Sequence, residues 1–443
     1  MRELFGTDGI RGKARQYPLD QATMFALGEA LGHRLKNGGR PKVLVGMDTR
    51  ESGPEIARAL AAGMIAGNAD AVFIGVVPTP AVAYLCRTTD AAAGISISAS
   101  HNPFEDNGVK IFGHDGMKLA DAIEEQIEDE LRALRRDNVT IPNDELPEHP
   151  ELVESYERFL VSGVPPTGLV GKKVVLDTGY GAAYRIGPEV FRRAGAEVVV
   201  IHDAPNGRNI NEQSGALHPQ TLAKTVVEEN ADYGVAFDGD ADRAIFADDA
   251  GKIRDGDEII YLWAKYLRLH EELKNNAVVT TVMSNFGFEK QLQTDGITLG
   301  RANVGDKYVL EMMLERGAIL GGEQSGHIID LAVHTTGDGI HTALVFGNIL
   351  AEMGERFSSL PTFEPMPQVL VNQKVGAKPP LDSLPRYQEA LAKAQQALAA
   401  TGRILVRYSG TENLVRVMVE GENDAQIREI AEELRGVLEA EIG

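Results

Sequence analysis

The stretch ADYGVAFDGDADR, residues 231–243, passes directly from an apolar run into three evenly spaced carboxylates. The run YGVAF is typical of a buried strand, and Asp238, Asp240 and Asp242 follow it at alternate positions. In open parallel sheets, ligands bind beyond the carboxyl ends of the strands. The stretch therefore predicts an α/β sheet with a functional loop at the end of one strand.

The same arrangement occurs three times along the chain. A pattern of strand, helix, strand, helix, strand and polar loop ends at GISISASHNP (94–103), at residues 231–243 and at GAILGGEQSGH (317–327). Short aliphatic and β-branched runs that alternate with helical patterns are typical of α/β domains. We therefore predict three similar mixed-sheet α/β domains, each ending in a loop that carries chemistry.

Two polar, proline-containing segments divide the chain further. They are DNVTIPNDELPEHP (137–150) and PTFEPMPQ (361–368). After the second segment, a different order of strands and helices predicts a smaller α+β domain. Its strands are predicted near 369–374, 403–408 and 414–420, and its helices near 386–400 and 424–441. The predicted domains are 1–150, 151–252, 253–365 and 366–443.

The composition indicates a soluble globular protein that does not bind polyanions. The 443 residues include 65 acidic and 44 basic side chains, which gives a net charge of −21. Nucleic acids and anionic membranes attract positive surfaces, so neither is an expected partner. No stretch approaches the roughly 20 apolar residues of a membrane span. Cys86 is the only cysteine, which excludes an intramolecular disulfide and favours the reducing cytoplasm.

The three aspartates after the second buried strand predict a cation site. Carboxylates this close repel one another unless a cation offsets their charge, and hard oxygen ligands suit Mg²⁺ or Ca²⁺. An EF-hand loop is excluded, because Arg243 and Asp249 stand where that motif has glycine and glutamate. The structural alternative is a solvated acidic turn. Arg243 beside a metal would suit contact with a phosphate.

Ser100 lies in the loop SASHNP after the first buried strand. Its surroundings do not match the Gly-x-Ser-x-Gly elbow of serine hydrolases. His101 is adjacent in sequence, which rarely gives the geometry of a nucleophile and its base. Taken alone, Ser100 is as compatible with a turn as with a nucleophile, and Lys110 is as compatible with a strand edge as with a site.

Two further loops have the composition of ligand contacts. In GGEQSGH, Glu323 and Ser325 can bond the vicinal hydroxyls of a sugar. The alternative is that Glu323 accepts hydrogen bonds from backbone N–H groups of its own glycine-rich turn. His327 could equally be a structural loop histidine. In RYSGTENLVR, hydroxyls and two arginines surround a glycine turn and predict an anion cradle, which is compatible with a hairpin turn. The cradle residues are Arg407, Ser409, Gly410, Thr411, Asn413 and Arg416.

Together with GTDGIRG (6–12), which contains Arg11, these loops resemble in type and order the active-site loops of the α-D-phosphohexomutase family. The resemblance covers the whole chain and implies four domains around a central active-site cleft. ELFGTDGIRG, GISISASHNPFEDNGVKIF and SGTENLVRVMVEG are most similar to the branch that acts on glucosamine phosphate. That branch supplies the 1-phosphate for UDP-N-acetylglucosamine and cell-wall precursors.

The resemblance implies a role for each loop. Ser100 would carry the phosphoryl group, and Asp238, Asp240 and Asp242 would bind one Mg²⁺ together with that group. Arg11, Lys110 and Arg243 would line the transferring group, with Lys110 as a candidate proton shuttle. Glu323, Ser325 and His327 would bind the sugar, and the cradle around Gly410 would hold the idle phosphate. A hexose 1,6-bisphosphate would serve as primer. A homodimer is one possible assembly, and the sequence does not determine the oligomeric state.

Two positions depart from the family pattern. Asp306, in ANVGDKYV, stands where members specific for glucose or mannose phosphates tend to have histidine, and Asn413 stands where many have proline. Glucose and mannose phosphates thus stay open as substrates on physical grounds. An aspartate-dependent phosphatase with Asp238 as nucleophile and a non-catalytic sugar-phosphate binder are the two rival functions.

Overall fold

The computed structural model describes residues 4–6, 8–35, 39–409 and 413–443. Its first sheet contains six strands in the order β1-β2-β6-β5-β3-β4. The strand β3 is parallel to β4 and β5, whereas β6 returns antiparallel to β5. The elements of this region are β1 (Phe5–Gly6), β2 (Gly9–Lys13), α1 (Gln21–Arg34), β3 (Lys42–Met47), α2 (Gly53–Ala66), β4 (Asp70–Val76), α3 (Thr79–Thr88), β5 (Ala93–Ile97), β6 (Asp106–Gly113) and α4 (Asp121–Leu134).

The second sheet contains five strands in the order β11-β10-β9-β7-β8. All five residues of β9 are buried, because β9 pairs with β7 on one side and with β10 on the other and is covered by helices. This burial explains the uninterrupted apolar run YGVAF. The elements are α5 (Pro150–Ser162), β7 (Lys173–Asp177), α6 (Ala183–Arg193), β8 (Glu197–Ile201), α7 (Gln220–Glu228), β9 (Tyr233–Phe237), β10 (Ala244–Asp248), β11 (Ile253–Arg254) and α8 (Gly256–Leu269).

The third sheet contains four strands in the order β13-β12-β14-β15. Its strand β12 is parallel to β14, and β15 returns antiparallel to β14. In all three sheets, the polar loop predicted from the sequence closes an antiparallel hairpin after the last parallel strand. The elements are β12 (Ala277–Thr281), α9 (Phe286–Thr294), β13 (Thr298–Ala302), α10 (Asp306–Arg316), β14 (Leu320–Gly322), β15 (Ile328–Asp330) and α11 (Gly339–Met353).

The C-terminal region is an antiparallel sheet packed on helices. Its strand order is β16-β18-β17, and its core contains alternate residues of β18, including Val415, Val417 and Val419, packed against α13. The elements are β16 (Gln368–Lys374), α12 (Pro385–Leu398), β17 (Gly402–Tyr408), β18 (Leu414–Gly421) and α13 (Asp424–Ile442). Three mixed α/β sheets and an α+β domain confirm the predicted fold class.

The chain separates into two compact units. One comprises Met1–Thr281 and Gly300–Pro361, and the other comprises Val282–Leu299 and Thr362–Gly443. The four domain boundaries read from the sequence stay a prediction. Within the described ranges, no helix is both long enough and apolar enough to cross a membrane.

Candidate active site

Ser100 and the acidic loop meet where the first two sheets end. Ser100 lies between β5 and β6 and is 1% exposed. Its Oγ donates a hydrogen bond to Asp238 Oδ2, at 2.6 Å. The two residues are 138 positions apart in the chain and belong to different sheets. Two of the three predicted polar loops therefore form one site.

A buried arginine that the sequence analysis missed holds the Ser100 loop. Arg50 donates to the carbonyl oxygens of Ser100 (3.0 Å), Asn102 (2.8 Å) and Asp106 (3.0 Å). Its Nε also bonds Asp48 Oδ2, at 2.9 Å, and neither side chain is exposed. The available signal was MDTR (47–50), which places Asp48 and Arg50 directly after the buried strand β3. This is the same pattern that marked the other loops.

The three aspartates fit a cation site. Asp238, Asp240 and Asp242 are buried, and one carboxylate oxygen from each lies within 4.8 Å of the others. The Oδ1 atoms of Asp240 and Asp242 are buried without a hydrogen-bond partner among the described residues. Burial raises the pKa of Asp238 well above its usual value, and the charges of Asp242 and Asp240 add to the effect. Orphaned hard oxygens and crowded charge are what a bound Mg²⁺ would relieve.

Lys110 partly offsets this negative charge. Its Nζ lies 2.9 Å from Asp240 Oδ2, 3.1 Å from Asp242 Oδ2 and 3.2 Å from Asp8 Oδ2. Burial by itself would lower the pKa of Lys110, but the three carboxylates raise it well above its usual value. The structure thus places Lys110 in the site as an ammonium group. Thr79 also bonds Asp240 Oδ2, at 2.6 Å, and was not singled out from the sequence.

The two predicted phosphate-contact arginines lie beside the same loops. The backbone N–H of Arg243 donates to Asp238 Oδ1 at 3.2 Å, and its Nε lies 3.8 Å from Asp242 Oδ1. Arg11 donates to the carbonyl oxygen of Ala99, at 3.4 Å, and pairs with Asp8. Each arginine has a buried Nε without a hydrogen-bond partner in the described part of the chain. Both side chains therefore retain donors for an anion.

The structure differs from the expectation for His101. Its Nδ1 lies 3.2 Å from Ser100 Oγ, although the two residues are adjacent in sequence. The φ angle of Ser100, 52°, is in the left-handed region, so the chain turns sharply at this point. Burial lowers the pKa of His101 to about 4, with Arg243 and Arg11 adding to the effect. The neutral imidazole is a second polar neighbour of the serine hydroxyl.

The predicted sugar loop lies between β14 and β15. Ser325 is exposed, and its Oγ donates to Glu323 Oε2 at 3.4 Å. The backbone N–H of Gly305 donates to Glu323 Oε1 at 3.2 Å. His327 is buried, accepts the N–H of Gly337 at Nε2 (3.0 Å) and places Nδ1 3.6 Å from Asp242 Oδ1. The sugar loop thus lies next to the acidic loop.

A second, partly buried lysine that was also missed from the sequence links the regions of the first and third sheets. Lys118 Nζ lies 2.5 Å from Asp306 Oδ2 and also pairs with Asp8. Burial opposes its charge, but Asp306 and Asp8 raise the pKa of Lys118. Lys110, Asp8, Lys118 and Asp306 thereby form a continuous series of alternating charges. The sequence offered little signal, because the buried strand β6, which precedes GMKLA, was not identified from the sequence.

The predicted anion cradle lies in the C-terminal unit. Arg407 on β17 stands directly opposite Arg416 on β18, and burial together with Arg416 lowers the pKa of Arg407. Ser409 is buried, Asn413 is exposed, and Lys378, missed from the sequence, donates to the carbonyl oxygen of Ser409 at 2.8 Å. Like charges directly opposite on antiparallel strands are unfavourable, so an anion between them would be stabilising. Gly410 and Thr411 lie outside the described residues.

Four models of one protein family match the chain in succession. Their descriptions are Phosphoglucomutase/phosphomannomutase alpha/beta/alpha domain I at residues 2–137, domain II at 159–251, domain III at 255–364 and the C-terminal domain at 370–437. The chain belongs to the phosphoglucomutase/phosphomannomutase family. The resemblance to phosphohexomutases is thereby confirmed, and the protein is an enzyme of the isomerase and phosphotransferase type.

Full-length relatives and solved structures agree with this assignment. Phosphoglucosamine mutase from Solibacter usitatus is 46% identical over 444 residues, covering 100% of this chain and 99% of that protein. The one from Symbiobacterium thermophilum is 45% identical over 449 residues, covering 100% of both. A phosphoglucomutase/phosphomannomutase family protein from Burkholderia thailandensis superimposes with a TM-score of 0.80 at 22% identity, over 99% of this chain and 98% of that one.

A further structural neighbour is a ligand complex. Aspergillus fumigatus N-acetylphosphoglucosamine mutase, solved with GlcNAc-6P and magnesium, superimposes with a TM-score of 0.67 at 18% identity, over 99% of this chain and 96% of that one. At this identity the likeness shows the fold that this phosphohexomutase shares with its neighbours.

Proposed function

We propose that this phosphohexomutase interconverts glucosamine 6-phosphate and glucosamine 1-phosphate through a phosphoserine at Ser100. The activity is the one named for its full-length relatives at 42–46% identity. The observation that supports the serine chemistry most directly is the contact between Ser100 Oγ and Asp238 Oδ2, at 2.6 Å. A cytoplasmic location accords with the reduced single cysteine and the absence of any expected membrane or nucleic-acid partner.

Phosphoryl transfer requires positioning and charge neutralisation more than covalent help. Arg50 donates a hydrogen bond to the carbonyl oxygen of Ser100, so Ser100 is positioned before the substrate binds. Arg243, Arg11 and the ammonium group of Lys110 surround the position where the transferring group would lie, and their charges offset those of the phosphoryl oxygens. We assign Lys110 this electrostatic role. As an ammonium group, it would donate a hydrogen bond to an oxygen of the transferring group.

The metal assignment rests on the acidic loop. Asp238, Asp240 and Asp242 would hold one Mg²⁺, which when bound would withdraw charge from the phosphoryl oxygens. The orphaned Oδ1 atoms of Asp240 and Asp242 support this assignment.

The reaction requires two separate binding sites, one for the sugar hydroxyls and one for the phosphate that is not being transferred. Phosphoserine 100 would transfer its phosphoryl group to the sugar phosphate, which gives a 1,6-bisphosphate. This intermediate would rotate in the site and transfer its other phosphoryl group back to Ser100. Glu323 and Ser325 would hold the hydroxyls in both orientations. Arg407 and Arg416 would hold whichever phosphate is idle. A hexose 1,6-bisphosphate would prime the dephosphorylated enzyme.

A phosphorus NMR time course tests the proposal. The sample contains glucosamine 6-phosphate, Mg²⁺ and a trace of glucose 1,6-bisphosphate. We expect the anomeric 1-phosphate signal to grow while total organic phosphate stays constant. Growth of inorganic phosphate would instead support a phosphatase with Asp238 as nucleophile. No change with glucosamine, glucose or mannose 6-phosphate would support a non-catalytic binder.

A further inference from the structure

Asp306 lies against both ends of the sugar loop. It is the first residue of α10 and follows Gly305, whose N–H donates to Glu323 Oε1 at 3.2 Å. Asp306 Oδ2 is also 3.7 Å from Nε2 of His327, at the other end of that loop. Glu323 is assigned to sugar hydroxyls, so the Asp306 carboxylate stands beside the surface that a sugar ring would face.

Asp306 shares its basic neighbours Lys118 and His327 with other carboxylates. Lys118 Nζ is shared between Asp306 and Asp8, and Lys110 Nζ is shared among Asp8 and two aspartates of the acidic loop. Two lysines, Arg11 on Asp8 and Arg243 near Asp242 thus serve four carboxylates. The Asp306 carboxylate would bind a cationic group on a ligand more strongly than a neutral hydroxyl. The four carboxylates are Asp8, Asp240, Asp242 and Asp306.

Asp306 also retains access and hydrogen-bonding capacity. Its side chain is 15% exposed, whereas Lys110 and Asp240 are each 1% exposed. Oδ1 accepts the N–H of Lys307, at 2.9 Å, and Oδ2 accepts Lys118 Nζ, at 2.5 Å. A carboxylate offers about four acceptor sites, so this one can take a further donor.

We propose that Asp306 binds the protonated amino group of the substrate and thereby selects an amino-sugar phosphate over a neutral hexose phosphate. This inference rests on the proposed function. In the 2-amino sugar, the carbon that bears the ammonium adjoins a carbon that bears a hydroxyl. Glu323, bonded to the N–H of Gly305, and Asp306, the next residue, would each take one of these two substituents. Lys118 holds the Asp306 carboxylate in place and leaves part of its acceptor capacity to the ligand.

The test compares two substrates on Asp306→Asn. Asparagine keeps the size of the side chain and removes its charge. We expect the ratio of kcat/KM for glucosamine 6-phosphate to that for glucose 6-phosphate to fall by about 10- to 100-fold, the range for one charge-assisted hydrogen bond. Glu311→Gln is the matched control, because Glu311 is an exposed residue of the same helix, and its ratio should equal that of the wild type.

A purely structural role predicts a different result. If Asp306 only anchors Lys118, both substrates lose activity in parallel and the ratio does not change, which would overturn the proposal. Lys118→Met is the second variant. It removes the anchored cation while retaining the carboxylate, so the proposal expects the preference for the amino sugar to be kept or increased. Loss of that preference in a folded Lys118→Met protein would also contradict it.

A binding measurement separates this inference from the proposed function. Calorimetric titration of the Ser100→Ala protein with each sugar phosphate reports affinity without turnover. We expect tighter binding of glucosamine 6-phosphate, and loss of that difference when Asp306→Asn is added. If the wild type turns over neither substrate, the proposed function fails, while the calorimetric difference still decides the role of Asp306.

Discussion

Ser100 occupies a backbone conformation that its neighbours impose. Its φ of 52° is rare for a residue with a β-carbon. Its N–H donates to Ser98 Oγ at 2.8 Å, and its carbonyl oxygen accepts from Arg50 (3.0 Å) and from Asn211 Nδ2 (2.9 Å). These three partners hold the backbone of Ser100, and its Oγ bonds Asp238 Oδ2.

Ser100→Ala tests the phosphoryl carrier. We expect turnover to fall by at least about 1,000-fold, since removal of a nucleophile abolishes the covalent route. Binding of glucosamine 6-phosphate, measured by calorimetry, should persist because the sugar loop and the cradle are intact. Ser162→Ala, on the exposed side of α5, is the control and should match the wild type. Substantial turnover by Ser100→Ala would remove Ser100 from the reaction.

Arg407 is a second residue whose surroundings indicate a ligand. It faces Arg416 across the β17–β18 pair, and like charges directly opposite each other on antiparallel strands are unfavourable. Arg407→Met should raise KM for the sugar phosphate by about 10- to 100-fold, because a charge-assisted phosphate contact is lost. The same variant should be no less stable to heat, because the repulsion is also removed.

The control for Arg407 is Arg428→Met, an exposed position on α13. Steady-state kinetics and thermal unfolding on both variants give the comparison. An unchanged KM in Arg407→Met would exclude the cradle from substrate binding.

At the scale of elements, the position of the loop between β5 and β6 depends on contacts from outside the hairpin. The loop after β5 has few hydrogen bonds between its own backbone groups. The side chain of Arg50, at the end of β3, donates hydrogen bonds to the carbonyl oxygens of this loop instead. The planar guanidinium reaches several carbonyl groups at once, which a lysine ammonium cannot do.

Arg50→Lys should therefore disturb the loop without removing the charge. We expect a loss of about 2–4 kcal/mol in the free energy of unfolding, the range for breaking a buried polar network. Hydrogen exchange of residues 98–106 should become faster, and turnover should fall with it. Arg58→Lys, on α2, is the matched substitution outside the network. Unchanged exchange and activity in Arg50→Lys would show that the loop does not depend on this residue.

The elements themselves were largely predictable. The C-terminal strands and helices lie within two residues of the predicted limits, because binary patterning and turn residues mark them locally. What patterning did not predict was that each polar loop closes a hairpin. The return strands β6, β10 and β15 were not identified, because a strand that is buried on both faces shows no alternation of apolar and polar residues.

At the scale of the whole molecule, the proposed cation site depends on the assembly of two sheets. Ser100 comes from the first and the three aspartates from the second. A ligand that binds only the folded protein stabilises it by about 2.7 kcal/mol at 100 times its Kd. We therefore expect Mg²⁺ to raise the Tm of the wild-type protein, with a dependence on concentration that saturates.

Asp242→Asn should weaken that response, because one ligand loses its charge. Asp203→Asn, at an exposed position in the same region, is the control and should respond as the wild type does. Differential scanning calorimetry over a series of Mg²⁺ concentrations measures the effect. An equal rise in Tm for Asp242→Asn and for the wild type would place the cation elsewhere.

The sequence by itself determined the fold class, the family and the residue types of each active-site loop. It could do so because strand burial, helix periodicity and the order of polar loops are local properties of the chain. Only the tertiary structure decided which loops meet. Three contacts join residues 50 to 188 positions apart: Ser100 with Asp238, Arg50 with Ser100, and Lys118 with Asp306. Such contacts are determined by how sheets pack, and no local pattern encodes them.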